Sequence, residues 1–252
     1  MLLLQKIIKY TSRILLIVVS IIGINMVDDL DSQTTVAEDD DAIRVVAIGD
    51  SLTYGSGDPK RVGYIGRVHK QMMNTVGNHV VLDRYGVRGF RTDQIMIHIQ
   101  DIEAKQKISQ ANYLFVFIGT NDFIQAARRD LNSINAQEME EKRALFKENL
   151  TQLIAQIRTD NQFAPMILIG MFDPYTNLIN HDELHGILEN WNSVTKGMVH
   201  EFPNTYYVST IDLFLNKDRD RYFKDVIHPN PRGYELISQR VMQDMKRYGL
   251  IN

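Results

Sequence analysis

Arg44-Val45-Val46-Ala47-Ile48-Gly49-Asp50-Ser51-Leu52 opens as a short apolar run, rich in β-branched residues, and ends in a small polar turn. A run of this length and composition reads as a strand covered on both faces. A serine just past such a strand lies at the carboxyl edge of an open α/β sheet, where those folds place their ligands. Near the other end, Asp225-Val226-Ile227-His228 sets a carboxylate three residues before an imidazole. Those are the two groups that a serine nucleophile needs as orienter and base.

Outward from Ile48, runs of strand length recur at Arg44 to Ile48, His79 to Leu82, Tyr113 to Ile118, Met166 to Met171 and Thr205 to Val208. Between and after them, helical spacing predicts helices over Tyr64 to Val76, Thr92 to Lys105, Glu138 to Arg158, Glu183 to Val199 and Arg232 to Tyr248. The alternation predicts an α/β protein with a five-stranded parallel sheet and helices on both faces. Gln125 to Lys147 is polar and longer than a simple connection, and reads either as a solvated helix face or as a flap beside the site.

Standing alone, the Ser51 turn has two other readings: a polar cap on the next helix, or a phosphate cradle of hydroxyls and amides. It is not the nucleophile elbow of the α/β-hydrolases, which needs Gly-x-Ser-x-Gly, because Asp50 precedes the serine and Thr53 stands in the second glycine position. Gly49-Asp50-Ser51-Leu52 instead resembles the first signature block of the GDSL or SGNH hydrolases. Three more blocks follow in that family's order: Gly86-Val87-Arg88-Gly89, Gly119-Thr120-Asn121-Asp122, and Asp225-Val226-Ile227-His228-Pro229-Asn230. The resemblance runs from Ile43 to Tyr248.

The resemblance implies a flavodoxin-like three-layer α/β/α fold and metal-independent ester hydrolysis through an acyl-enzyme. Mapped onto this chain, the catalytic residues are Ser51, Asp225 and His228. The oxyanion donors are the backbone N–H groups of Ser51 and Gly89 and the side chain of Asn121. A residue without Cβ at position 89 suits a backbone amide that approaches substrate closely. Arg88 and Phe90, which bracket Gly89, depart from the smaller or more polar neighbours expected there and bear on the substrate. The implied substrates are small or lipidic oxygen esters, with deacetylation of cell-envelope polysaccharide as the alternative and a non-catalytic anchored binding module as the reading from another class.

Other groups are given plainer roles. Asp50 is expected to order the turn. His69, His98, His181 and His185 lack comparable context and are expected at the surface. Tyr54, Phe90, Phe123, Phe172, Tyr175 and Trp191 fit either a pocket or the core. The carboxylates form no recognisable metal-ligand cluster beside Ser51, so neither a metal nor a cofactor is expected.

The 252 residues, 44% hydrophobic and 23% charged, suffice for one full core, and the lack of cysteine excludes disulfides, thiolate metal sites and thiol nucleophiles. Lys6, Lys9 and Arg13 precede the apolar run Ile14 to Val27, a pattern that keeps the N-terminus inside and sends the rest across the membrane. Residues 1–27 are therefore expected to be an uncleaved anchor or a cleaved signal; a buried helix of a cytosolic protein is the third reading. Residues 28–42 carry seven acids and no base, and read as a solvated tether. Residues 43–252 are the expected hydrolase domain. Setting aside the seven acids and the three N-terminal bases leaves 25 bases against 24 acids, a balance that does not favour nucleic acid as a partner. The expected location is outside the cytoplasm, with the membrane as a partner through the N-terminal segment.

Overall fold

The computed structural model describes residues 41–76, 79–127, 134–176 and 181–252. The expectations for residues 1–40 lie outside the described residues. Among the described residues, five strands form one sheet: β1 (Ile43–Gly49), β2 (Val80–Gly86), β3 (Tyr113–Phe117), β4 (Met166–Ile169) and β5 (Thr205–Val208). Their order is β2-β1-β3-β4-β5 and every pairing is parallel. From β1 the chain first builds outward to β2, then returns to the other side for β3. That reversal opens a crevice beyond the carboxyl ends of β1 and β3, and Ser51 and Asn121 follow those two strands.

The described helices are α1 (Ser51–Tyr54), α2 (Gly63–Val76), α3 (Thr92–His98), α4 (Ile102–Gln110), α5 (Thr120–Ala126), α6 (Ala136–Asp160), α7 (His181–Glu201), α8 (Arg219–Tyr222) and α9 (Pro231–Arg247). Alternate residues of the central strands point to opposite faces. Val45, Ala47, Phe115 and Phe117 pack with Tyr64, Val68 and Met72 of α2 and with Tyr234, Ile237 and Val241 of α9. Val46, Ile48, Leu114 and Val116 pack with residues of α3 to α7, among them Ile95, Ile108, Phe146, Ile154 and Trp191. Each fully buried Val, Ile or Phe contributes roughly 1.5–3 kcal/mol, so both faces are strongly held. The outcome is the expected three-layer α/β/α arrangement.

Two boundaries differ from expectation. Thr92 to Lys105 is two helices, because the Asp101 side chain accepts hydrogen bonds from Glu103 N (2.9 Å) and Ala104 N (3.5 Å) and so caps a new helix. β2 continues past Leu82 to Gly86. The polar residues Asp83 and Arg84 hid this, but β2 lies at the sheet edge, where Arg84 donates to Arg61 O (2.6 Å) and so needs no second apolar face. Within Gln125 to Lys147, residues 128–133 lie outside the described residues. From Ala136 onward the chain is α6, capped by Asn135 and buried at Met139 and Phe146, so this part is a packed helix and not a flap.

Candidate active site

Ser51 is 6% exposed and is the first residue of α1, where a backbone N–H has no acceptor within the helix. The fully buried Asp50 caps this short helix: its Oδ1 accepts from Leu52 N at 2.9 Å. Gly55, in the left-handed region, ends it. The turn therefore does serve as a helix cap, but through Asp50, which leaves the Ser51 hydroxyl free for another partner. That partner is His228, whose Nε2 lies 3.0 Å from Ser51 Oγ.

His228 reaches Ser51 on a loop that is tightly held. Asp225 Oδ1 accepts from the backbone N–H groups of Ile227 (3.0 Å) and His228 (2.9 Å), and Oδ2 lies 2.8 Å from His228 Nδ1. Since an ionised carboxylate only accepts, the Nδ1 nitrogen carries the proton and Nε2 presents its lone pair to Ser51. Partial burial pushes the Asp225 carboxyl up, but the His228 and Ile227 donors outweigh it and hold it below the usual carboxylate range. Asn230 then caps α9 by accepting from Arg232 N (2.9 Å) and Gly233 N (3.2 Å), with Pro231 at the first helical turn. The cap fixes where the chain leaves the site.

Some of the residues that hold this loop escaped the sequence reading. Gly57 adopts φ +89, and a Cβ there would come within 2.3 Å of Pro229 O and 3.0 Å of His228 Cβ, so the loop can close on the Ser51 turn only over a glycine. Tyr234 Oη donates to Ser56 O at 2.6 Å and joins α9 to the same turn. Arg219 donates to the carbonyls of Pro174 (3.0 Å), Asp225 (2.6 Å) and Val226 (2.5 Å). Only the glycine spacing in Gly55-Ser56-Gly57 offered a signal.

The other two oxyanion candidates stand at the same sheet edge. Asn121, in the first turn of α5, donates from Nδ2 to Phe90 O (2.9 Å) and to Asp50 Oδ2 (3.2 Å). This links the Gly89 loop, Asn121 and the Ser51 turn. Gly89 has φ +77 and is exposed, with nothing within 4 Å of where a Cβ would stand. Its glycine is thus required by backbone conformation, while the space beside it is open. Asp122 accepts from Thr92 N (3.1 Å) and Thr92 Oγ1 (3.1 Å), which braces the Gly89 side of the crevice.

Burial, aided by the nearby charge of Asp122, pushes the Asp50 carboxyl from 3.8 up to about 7. The folded domain then keeps a proton there that the unfolded chain releases at lower pH. Its contribution to stability is full below about 4 and is lost as pH rises to about 7. Asp50→Asn keeps an acceptor for Leu52 N and cannot ionise. The expected result is a Tm difference, mutant minus wild type, that grows from about pH 4 to about pH 8. Thermal melts at the two pH values check it, and a constant or falling difference refutes the assignment.

Four of the six aromatics with a possible pocket role are core: Phe123, Phe172, Tyr175 and Trp191 are at most 5% exposed. Tyr54 and Phe90 are half-buried. His98 is exposed as expected, whereas His69 is half-buried and bonds Val80 O at 2.7 Å. The surface expectation also fails for His181 and His185. Both are half-buried and converge on Asp173, a buried carboxylate in the loop after β4, well apart in sequence from Ser51. Among the described residues, no helix is long and apolar enough to cross a membrane.

The sequence profile of the GDSL-like lipase/acylhydrolase family matches residues 47–236. The chain is 31% identical over 212 residues to uncharacterized protein YpmR of Bacillus subtilis (strain 168), covering 82% of this chain and 83% of that one. It is 21% identical over 214 residues to spore germination lipase LipC of Bacillus licheniformis, covering 79% and 94%. Among solved structures, the lipase Lip_vut3 from a goat rumen metagenome shares the fold with a TM-score of 0.71 at 20% identity, covering 80% of this chain and 96% of that one. Axe2, an acetylxylan esterase from Geobacillus stearothermophilus, does so with 0.62 at 16% identity, covering 81% and 94%. The class these likenesses define is a hydrolase of ester bonds. Since the profile spans most of the chain, the chain belongs to the GDSL-like lipase/acylhydrolase family.

Proposed function

We propose that this chain is an extracytoplasmic serine esterase that cleaves oxygen esters, with Ser51 as nucleophile, His228 as base and acid, and Asp225 as orienter. The observation that carries this reading is the continuous contact from Ser51 Oγ to His228 Nε2 (3.0 Å) and from His228 Nδ1 to Asp225 Oδ2 (2.8 Å). As Oγ attacks the ester carbonyl, Nε2 takes its proton, and the imidazolium is stabilised by a carboxylate that stays ionised. The oxyanion is met by the N–H groups of Ser51 and Gly89 and by Asn121. Of the two bonds Asn121 makes, the longer one to Asp50 is the one the oxyanion takes over. Collapse breaks the C–O bond, and the alcohol leaves with the proton from His228. Water then attacks the acyl-enzyme by the same path, releasing the acid and restoring Ser51.

Residues 1–27 are proposed to carry the domain across the membrane, and residues 28–42 to hold it clear of the surface as an acidic tether. Support comes from Lys6, Lys9 and Arg13 ahead of the apolar run. The near-neutral charge of the domain argues for a small ester substrate over nucleic acid.

A charged fluorophosphonate that cannot enter cells tests chemistry and location together. Added to intact cells, it is expected to label this chain, and mass spectrometry of the adduct is expected to place it on Ser51. An adduct on another serine, such as Ser56, overturns the mechanism. Labelling that needs lysed cells overturns the location alone.

The lipid-ester reading draws on the lipase LipC among the relatives. The second reading, deacetylation of a polysaccharide, draws on the acetylxylan esterase Axe2, which shares the fold. Rates on acetylated xylan oligosaccharides and on a lysophospholipid separate the two.

A further inference from the structure

The cluster around Asp173 is not used by the proposed ester chemistry. Asp173 follows β4 and is fully buried; its Oδ1 accepts from Tyr175 N at 2.8 Å. Its Oδ2 lies 3.0 Å from His181 Nε2 and 2.7 Å from His185 Nδ1. The two histidines stand four apart at the start of α7, on one helix face, with side chains 24% and 22% exposed. Two half-buried imidazoles thus converge on one oxygen of a buried carboxylate.

We propose that Asp173, His181 and His185 bind a divalent transition-metal ion, with Zn²⁺ as the best fit. The three donor atoms lie within 4.8 Å of one another. Around tetrahedral zinc, with ligands at about 2.0–2.2 Å, neighbouring donors stand roughly 3.3 Å apart. The present 2.7 and 3.0 Å therefore widen by only a few tenths of an ångström when an ion enters between them. Two imidazoles and one carboxylate form a borderline donor set, suited to zinc, cobalt or nickel and poorly suited to calcium or magnesium. Each histidine also has a carboxylate near its other nitrogen, Asp182 at 3.6 Å from His181 Nδ1 and Glu189 at 3.8 Å from His185 Nε2. Such outer carboxylates orient metal-bound imidazoles.

The ion's role is structural. It pins the loop after β4 to α7, and that loop is joined to the Asp225 loop because Arg219 bridges Pro174 O to the Asp225 and Val226 carbonyls. No step of ester cleavage passes through it, so the site and the esterase mechanism stand or fall separately.

The test uses the full chain, purified without a histidine tag and stripped with a chelator. Titration with Co²⁺ is expected to give one saturable site with the visible absorption of a four- or five-coordinate ion. Zn²⁺ is expected to displace the cobalt and to raise the Tm of the stripped protein. His181→Gln and His185→Gln, both at half-buried positions where the amide can still donate to Asp173, are expected to keep the metal-free Tm and to lower metal affinity by at least about 10²-fold. His228→Gln is expected to bind cobalt as wild type does, which separates this site from the Ser51 site. The proposal is overturned if wild type shows no saturable site below about 100 µM metal, a Kd weaker than roughly −5.5 kcal/mol of binding. It is equally overturned if both glutamine variants at 181 and 185 bind as wild type does, or if binding vanishes in His228→Gln.

Discussion

Ser51→Ala and His228→Ala are each expected to lower kcat on p-nitrophenyl acetate by about 10⁴-fold or more, while the double variant is scarcely worse than either alone. The members of a hydrogen-bonded triad act as one unit, so removing any essential part removes most of what the whole supplies. Folding is expected to survive. Ser51 Oγ bonds His228 across the crevice, and one such bond contributes about 1 kcal/mol. The loop that carries His228 is held independently of the imidazole, by the Asp225 bonds to two backbone N–H groups, by Asn230 at the start of α9 and by Arg219. Circular dichroism and Tm should therefore match wild type within a few degrees. Retention of more than a tenth of wild-type kcat in either single variant refutes the mechanism.

The layers of the fold were legible because nearly every buried strand is an unbroken apolar run. Val45 to Ile48 and Leu114 to Phe117 are covered on both faces and carry no polar residue to confuse their reading. The edge strand β2 was cut short for the opposite reason, since Asp83 and Arg84 meet the boundary of the sheet and not its centre. Ser51, Asp225, His228 and Asn121 could be named because each lies in a short motif just past a strand or before the last helix. The groups that hold them in place could not. Gly57 matters through a close approach to Pro229, 172 positions away in the chain and visible only once the loop is folded back. Asp173, His181 and His185 belong to a loop and a helix start whose spacing in sequence hides that both histidines meet at one oxygen of Asp173. Asp50 was readable as a turn residue, but not as an acceptor for Asn121, 71 positions later.

That last contact shapes the second large effect. Asn121→Ala is expected to lower kcat by about 10²–10³-fold with KM within a few-fold of wild type, since an oxyanion donor acts on charge that develops only in the transition state. Two acceptors lose their donor in this variant, Phe90 O and Asp50 Oδ2. The carbonyl sits beside the exposed Gly89 and can turn to water, whereas Asp50 is fully buried and already has its carboxyl raised to about 7. Without the amide, the ionised form of Asp50 loses support and its proton is held to still higher pH. The loss of stability is therefore expected to be larger in alkali than in acid, on the order of 1–3 kcal/mol where Asp50 is forced to ionise. A purely structural asparagine would lower stability and leave the kcat of the folded fraction intact. Steady-state kinetics on folded enzyme, read beside melts at two pH values, distinguishes these roles. A rise in KM with kcat unchanged makes Asn121 a substrate-binding residue and removes it from the oxyanion hole.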